Sequence, residues 1–228
     1  EISLGLVGSE MCIRDRSRLL KKELLGIPEL GVLGFHPAEL PKNRGRHPII
    51  WSLVLGLNRT ASTFFFMGEG ADDGDIVSQE GIEIKAKDNS STLYKKITKV
   101  AENQLPKIIK QLRRGTNTLI PQDHSKANIW RKRTEKDGEI DWRMGAESIH
   151  NLVRALAKPY PGAHFIFKKE KYKVWRTKIN KTNNFLNLEP GKVIKISKDK
   201  SIIVKCSDFS IEIIDFEPSI KIKAGDYL

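Results

Sequence analysis

The chain has 228 residues, a mass of 25.9 kDa and a formal charge of +12, and 39% of its residues are hydrophobic. This hydrophobic share is enough to form a buried core, so the composition excludes a globally disordered chain. No apolar run approaches the ~18 residues of a membrane-spanning helix, and two cysteines exclude a disulfide scaffold and favour a cytoplasmic location. The basic charge favours an anionic partner, although a Lys- and Ile-rich genome explains the composition equally well.

The first sixteen residues, EISLGLVGSEMCIRDR, are interpreted as a segment appended to the protein. Residues 6–10 and 11–15 resemble the in-frame translation of a common transposase-based sequencing adapter. Acidic residues interrupt the apolar stretch, which therefore does not have the pattern of a secretory signal peptide. We expect residues 1–16 to pack against nothing specific. We also expect the protein-derived part, from about Ser17, to lack the strands that open its first domain.

The first part of the chain alternates between strand-like and helix-like segments, which favours an α/β layer architecture. In chain order these segments are a helix end over 17–25, an apolar strand over 31–35, a buried helix over 48–57, strands over 61–67 and 75–84, and a helix over 93–114. The apolar run GVLGF at 31–35 is typical of a buried parallel strand. Pro106 should kink or divide the last helix.

Beyond residues 116–121 the pattern changes to one amphipathic helix over 149–156 followed by short strands. The strand-like segments are 164–167, 172–178, 193–197, 201–206, 210–214 and 220–222. Several short strands with turn residues between them predict a small β-barrel. Cys206 lies in the apolar run SIIVKCSDF, which predicts a core residue and not a nucleophile.

A histidine and an acidic turn follow two of the predicted strands. His36 comes directly after the apolar strand, and Asp72, Asp73 and Asp75 lie in or beside the Gly-rich turn after 61–67. Ligands of open α/β sheets bind beyond the carboxyl ends of the strands, so these side chains are expected at a functional edge. A His and an Asp that meet there suit general acid–base chemistry. Each alone is more often structural or solvated, and no convincing His or Cys set has metal-ligand spacing.

Residues 34–48 (GFHPAELPKNRGRHP) and 64–79 (FFFMGEGADDGDIVSQ) resemble the folate-dependent formyltransferase family. Its members include methionyl-tRNA formyltransferase and the nucleotide-sugar N-formyltransferases. The family has an Asn-x-His motif, then a Leu-Pro and Arg-Gly loop, then an Asp-x-Gly turn. Residues 130–142, 149–163 and 171–179 resemble its C-terminal module, so the resemblance covers essentially all of the chain after residue 16.

The resemblance implies a catalytic pair, His36 and Asp72, and 10-formyltetrahydrofolate as co-substrate. An amine would attack the formyl carbon, while charged His36 stabilises the developing oxyanion and Asp72 relays the amine proton. The same resemblance assigns Leu40 and Asp75 to folate binding. No metal is expected.

The motif departs from the family at Gly34, where the family has the Asn that holds the oxyanion. Loss of one such donor typically costs ~10²–10³ in rate. A backbone N–H, another side chain such as Asn43, or an altered activity are the alternatives. Arg44 and Arg46 are expected to face an anionic substrate, because a planar guanidinium binds phosphate well. A solvated basic loop is the alternative for both.

The acceptor substrate stays open between a nucleotide-linked amino sugar and initiator tRNA. The Arg-Gly-Arg loop at 44–46 and the linker RKRTEKDGEIDW slightly favour the sugar nucleotide. The basic strip at 168–181 has seven Lys and Arg residues against Glu170 alone, which fits an RNA backbone or a solvated face. A non-catalytic basic module that lost the reaction with Gly34 is a further alternative. No membrane partner is expected, and the oligomeric state is left open.

The expected fold is α/β, with the C-terminal half of a doubly wound, Rossmann-like sheet ahead of a small OB-like β-barrel. The boundaries that these patterns predict are 1–16 for the appended segment, 17–116 for a partial catalytic domain, 117–145 for a linker and 146–228 for the β-rich domain.

Overall fold

The computed structural model describes residues 21–181, 185, 187–219 and 221–228. The predicted appended segment, residues 1–16, lies outside the described residues. The helices are α1 (Lys22–Leu25), α2 (Pro48–Val54), α3 (Ser90–Arg114) and α4 (Ala146–Ala155). The strands are β1 (Leu33–His36), β2 (Arg44–Gly45), β3 (Arg59–Phe66), β4 (Ile76–Glu83), β5 (Ile129–Trp130), β6 (Ala163–Phe167), β7 (Glu170–Asn180), β8 (Val193–Ile196), β9 (Ile202–Lys205) and β10 (Ser210–Glu217).

The N-terminal sheet has the order β1-β3-β4, and both of its pairings are antiparallel. β3 is almost entirely buried, since it lies between the other two strands and beneath α3. The expected parallel pairing of β1 is not found among the described strands, because β1 pairs with β3 in the opposite direction. An apolar run indicates that a strand is buried on both faces. It does not indicate the direction of the neighbouring strand, because parallel and antiparallel strands can both be buried in this way.

Helix α3 is continuous over its 25 residues, so Pro106 does not divide it. The helix begins at a capping box, in which Asn89 accepts from the Thr92 N–H and the Thr92 hydroxyl accepts from the Asn89 N–H. Its buried face carries Leu93, Ile97 and Ile108. Burial of this face offsets the helix-interior cost of a proline, about 3 kcal/mol. No helix in the described ranges is both long and apolar enough to cross a membrane.

The C-terminal sheet has five antiparallel strands in the order β6-β7-β10-β9-β8, and α4 packs on β7. Its described pairings do not join the outer strands β6 and β8 to close a barrel. The predicted strand at 220–222 is not formed at residues 221–222, and residue 220 lies outside the described residues. A mixed α/β domain followed by a small strand domain is therefore confirmed.

One hydrophobic core runs through both parts of the chain. Leu53 and Ile97 of the first part share it with Ile149, Val153 and Phe165 of the second. The intervening residues do not simply connect the two parts, because β5 pairs in parallel with β2. The predicted domain boundaries stay a prediction. The β2–β5 pairing matters for function, since it holds the loop after β1 in place.

Candidate active site

His36 is the last residue of β1, and its side chain is 6% exposed. Its Nδ1 lies 3.5 Å from Asp72 Oδ2, and its Nε2–H donates to the Asn43 carbonyl at 2.8 Å. The Asn43 carbonyl is an acceptor, so the Nε2 nitrogen carries a hydrogen. The geometry therefore places a hydrogen-bond donor on one side of the ring and a carboxylate on the other, at the carboxyl end of the strand.

Asp72 lies in the turn after β3, with a left-handed backbone (φ 52°). Its Oδ2 accepts the Gly45 N–H at 2.8 Å, which ties the turn to the loop after β1. Gly74 is required in this turn, because a Cβ there would lie 1.7 Å from the Phe66 carbonyl oxygen. The structure thus brings together the predicted pair His36 and Asp72. Their catalytic roles stay a prediction.

Hydrogen bonds to the segment around β5 hold the loop after β1 in place. The Asn43 N–H donates to Asn128 Oδ1 at 2.9 Å, and the Arg46 N–H donates to the Trp130 carbonyl at 3.0 Å. Gly45 has φ 97°, and a Cβ there would lie 2.4 Å from the Trp130 carbonyl oxygen. The glycine of the Arg-Gly pair is therefore what allows β2 and β5 to approach each other.

The Arg44 side chain is buried and hydrogen-bonded within the protein, whereas the sequence predicts that it faces an anionic substrate. It is 6% exposed. Its guanidinium donates to Gln122 Oε1 through Nε at 3.1 Å and Nη2 at 2.6 Å, and to His124 Nδ1 at 3.3 Å. These partners lie about eighty residues away in the chain, and they supply the acceptors that a substrate would otherwise supply. Arg46 is half-buried at the surface of the same loop.

Gln122 is a site residue that the sequence analysis did not identify. Its Nε2 donates to the carbonyls of Asp72 at 2.9 Å and Gly74 at 2.6 Å. The residue is 6% exposed, although it lies in the segment predicted as a linker. A single glutamine among polar residues has no periodicity that would distinguish it. Asn128 was missed for the same reason.

Leu40 and Asp75, the residues predicted to bind folate, occupy different environments. Leu40 is 2% exposed and packs with Phe65 and Ile76, so its side chain supports the loop from inside. Asp75 is half-buried next to the turn, and its carbonyl accepts the Phe66 N–H at 2.9 Å. The roles of both residues in folate binding stay a prediction.

Gly34, the departure from the motif, lies directly under an aromatic ring. A Cβ at this position would be 2.9 Å from Cε1 and Cζ of Phe65 and 3.0 Å from Cγ of Met67. Phe65 is 2% exposed, so its ring has little room to move. A side chain at position 34 therefore conflicts with the packing of β3.

The surroundings of two other titratable groups, Asp123 and Cys206, shift their pKa values. A hydrogen bond from the Ser125 hydroxyl, with one from Lys126, lowers the pKa of the exposed Asp123 to about 2. Cys206 is fully buried, which confirms the prediction of a core residue, and this burial raises the pKa of its thiol to about 12. Within the described ranges, no group of three His, Cys, Asp or Glu side chains is placed to hold a metal ion.

Comparison with known proteins identifies similar sequences. Residues 10–109 match the family model described as "Formyl transferase", and residues 132–227 match "Formyl transferase, C-terminal domain". The chain is 34% identical over 215 residues to the methionyl-tRNA formyltransferase of Caldanaerobacter subterraneus, with 92% of this chain and 67% of the relative covered. It is 33% identical over 201 residues to that of Carboxydothermus hydrogenoformans, with 88% and 64% covered. The chain thus spans about two thirds of the length of these relatives.

Comparison with solved structures supports the fold. WlaRD, a sugar 3N-formyl transferase solved in the presence of dTDP and 5-N-formyl-THF, superposes with a TM-score of 0.64. The sequence identity is 21%, and the superposition covers 79% of this chain and 64% of that one.

Proposed function

The chain belongs to the formyl transferase family, and we propose that the protein moves a formyl group from 10-formyltetrahydrofolate to an amino group of an anionic substrate. The observation that carries this proposal is the placement of His36. It is a nearly buried imidazole at a strand end, held between the Asp72 carboxylate and the Asn43 carbonyl. An imidazole N–H donor beside a carboxylate suits a reaction that develops an oxyanion and releases an amine proton.

The proposed reaction begins when the amine nitrogen attacks the formyl carbon, which forms a C–N bond and places a negative charge on the formyl oxygen. The Nε2–H of His36 turns from the Asn43 carbonyl to this oxyanion. Asp72 takes the proton that the amine loses. The bond between the formyl carbon and N10 of the folate then breaks, and N10 takes that proton. The products are the formamide and tetrahydrofolate.

Two acceptor classes remain within this proposal. The sequence analysis slightly favours a sugar nucleotide, and WlaRD is a sugar N-formyl transferase. One of the two arginines behind that preference, Arg44, is bonded inside the protein. For initiator tRNA, the supporting observation is the set of basic side chains around Trp175 of β7. Lys158 Nζ, from the segment after α4, lies 4.7 Å from the centre of the Trp175 ring, and Lys173 Nζ of β7 lies 5.6 Å from it.

The proposed function is tested by tetrahydrofolate release from 10-formyltetrahydrofolate, with methionyl-tRNA or an amino-sugar nucleotide as acceptor. His36→Ala and Asp72→Asn should each abolish most of the turnover and leave the fold intact, because both lie at the edge of the sheet. Asp141→Asn, which breaks only an exposed pair with Arg143, is the matched control and should keep full turnover.

Near-full turnover by either site variant would overturn the assignment of the pair. If the intact, folded protein binds RNA in a salt-dependent way and turns over no folate with either acceptor, it is a non-catalytic basic module.

A further inference from the structure

The Gln122 side chain uses its complete hydrogen-bonding capacity inside the candidate site. Both amide hydrogens are donated, one to the Asp72 carbonyl and one to the Gly74 carbonyl. The amide oxygen accepts twice from the Arg44 guanidinium. A primary amide has two donors and two acceptor lone pairs, so nothing is left over for another partner.

The two carbonyls that Gln122 binds lie on either side of Asp73 in the turn. Asp72 adopts φ 52°, which residues other than glycine usually avoid. A turn in such a conformation persists only where its surroundings hold it. Gln122 anchors it on both sides of Asp73, and this anchoring determines where the Asp72 carboxylate points.

The other end of the Gln122 amide controls the partner of that carboxylate. Arg44 immediately precedes Gly45, and the Gly45 N–H donates to Asp72 Oδ2 at 2.8 Å. The same oxygen faces His36 Nδ1. One buried amide therefore connects the turn that carries Asp72 with the loop that supplies its backbone donor.

We propose that Gln122 is a positioning residue that sets the distance between Asp72 and His36 for formyl transfer. Gln122 touches neither reacting group with its own side chain, and it acts through the backbone of Asp72 and through Arg44. This inference rests on the proposed function for its kinetic consequence, whereas its structural consequence can be measured without turnover.

Gln122→Glu is the informative variant, because it keeps the size and the acceptor toward Arg44 but places an oxygen against two carbonyl oxygens. Gln122→Met removes both sets of bonds without adding a charge. The matched control is Gln104→Glu. Gln104 is 1% exposed, donates through Nε2 to the Ser62 carbonyl and the Ser78 hydroxyl, and accepts from the Ser62 hydroxyl, so it is a second buried glutamine with both amide groups bonded.

The first readout is the long-range ¹⁵N–¹H NMR spectrum of the histidine rings in the full chain. We expect the Nδ1 resonance of His36 to move in Gln122→Glu and Gln122→Met, and to stay in place in Gln104→Glu. An unchanged His36 resonance in a folded Gln122 variant would overturn the inference. An equal change in Gln104→Glu would overturn it too, since the effect would then be a general loss of packing.

The second readout is turnover. A displacement of about 1 Å at a catalytic group costs about 10²-fold, so both Gln122 variants should lose about 10²-fold in kcat with little change in KM. In an Asp72→Asn background the same substitutions should cost less than about twofold, because the group that they position is already gone. Losses that multiply would contradict the positioning role. Absence of turnover in the wild type, with the His36 resonance still dependent on Gln122, would refute the proposed function and leave the structural inference standing.

Discussion

Gly34, two positions before His36, departs from the family motif, and the Phe65 ring packs directly against it. The Phe65 ring occupies the space that a side chain at position 34 needs. In the proposed reaction, the Nε2–H of His36 is the donor to the oxyanion. The departure at Gly34 is therefore coupled to the packing of β3.

Gly34→Asn alone should lower the thermal stability and fail to raise turnover. Overpacking of a tight core typically costs about 1–3 kcal/mol, and the Asn amide cannot reach its position until the ring moves. Combining Gly34→Asn with Phe65→Leu makes room, and this double variant should gain up to ~10²–10³ in turnover if a donor is lacking.

Thermal unfolding and tetrahydrofolate release check these outcomes. Gly81→Asn in β4 is the control, because a Cβ there meets only the Arg59 guanidinium at 3.1 Å and should change stability little. A gain in turnover from Gly34→Asn alone would contradict this prediction, because it would show that the Phe65 ring moves aside easily.

At the scale of elements, Asp88 in the turn between β4 and α3 connects three elements of the fold. The Asp88 carboxylate is 3% exposed, and it accepts the Lys85 N–H at 2.7 Å and pairs with Lys96 of α3. Its backbone carbonyl accepts from Arg154 of α4 at 3.0 Å. One residue therefore connects the N-terminal sheet, its long helix and the helix that carries the C-terminal sheet.

Stability should fall at low pH partly because of Asp88. Burial acts to raise the pKa of its carboxyl, but the bonds from Lys96 and Lys85 outweigh burial, and the pKa lies below the ordinary value of 3.8. A lowered folded-state pKa gives stability that is present above the unfolded value and is lost as pH falls through the folded value. Asp88→Asn should cost about 1.5–3 kcal/mol at pH 7 and flatten the pH dependence below about pH 4.

Urea unfolding across this pH range measures the effect. Asp141 is the comparison, since hydrogen bonds from Arg143 lower its pKa to about 2 but its side chain is 45% exposed. The contribution of Asp141 should disappear in about 1 M salt, and that of Asp88 should persist. Equal salt sensitivity of the two variants would contradict the importance of burial at Asp88.

At the scale of the whole molecule, the +12 charge is partly organised along β7. Lys171 of this strand is exposed beside the buried Tyr172. An irregularity in the pairing with β10 at Arg176 shifts the alternation by one residue, so Arg176 and Lys178 are exposed on either side of the buried Thr177. The strand period and this shift together place cations on one face of the C-terminal sheet, which suits a polyanion better than a single phosphate.

RNA binding is the measurement that distinguishes the two acceptor classes. If tRNA is the acceptor, Lys178→Gln should weaken binding and reduce the slope of log K against log salt by about 1. Lys110→Gln on α3 is the matched control and should leave the slope unchanged. No RNA binding at low salt, together with turnover of an amino-sugar nucleotide, would exclude the tRNA alternative.

The sequence by itself determined the order of the larger helices and strands, the pairing of His36 with Asp72, and the core position of Cys206. These follow from apolar spacing and from motifs in which neighbouring residues act together. Only the tertiary structure decided the antiparallel partner of β1, the continuity of α3 through Pro106 and the inward use of Arg44. Each of these depends on a partner far away in the chain. The Arg44 guanidinium binds Gln122, 78 positions later, and no local pattern encodes which distant acceptor a buried donor will meet.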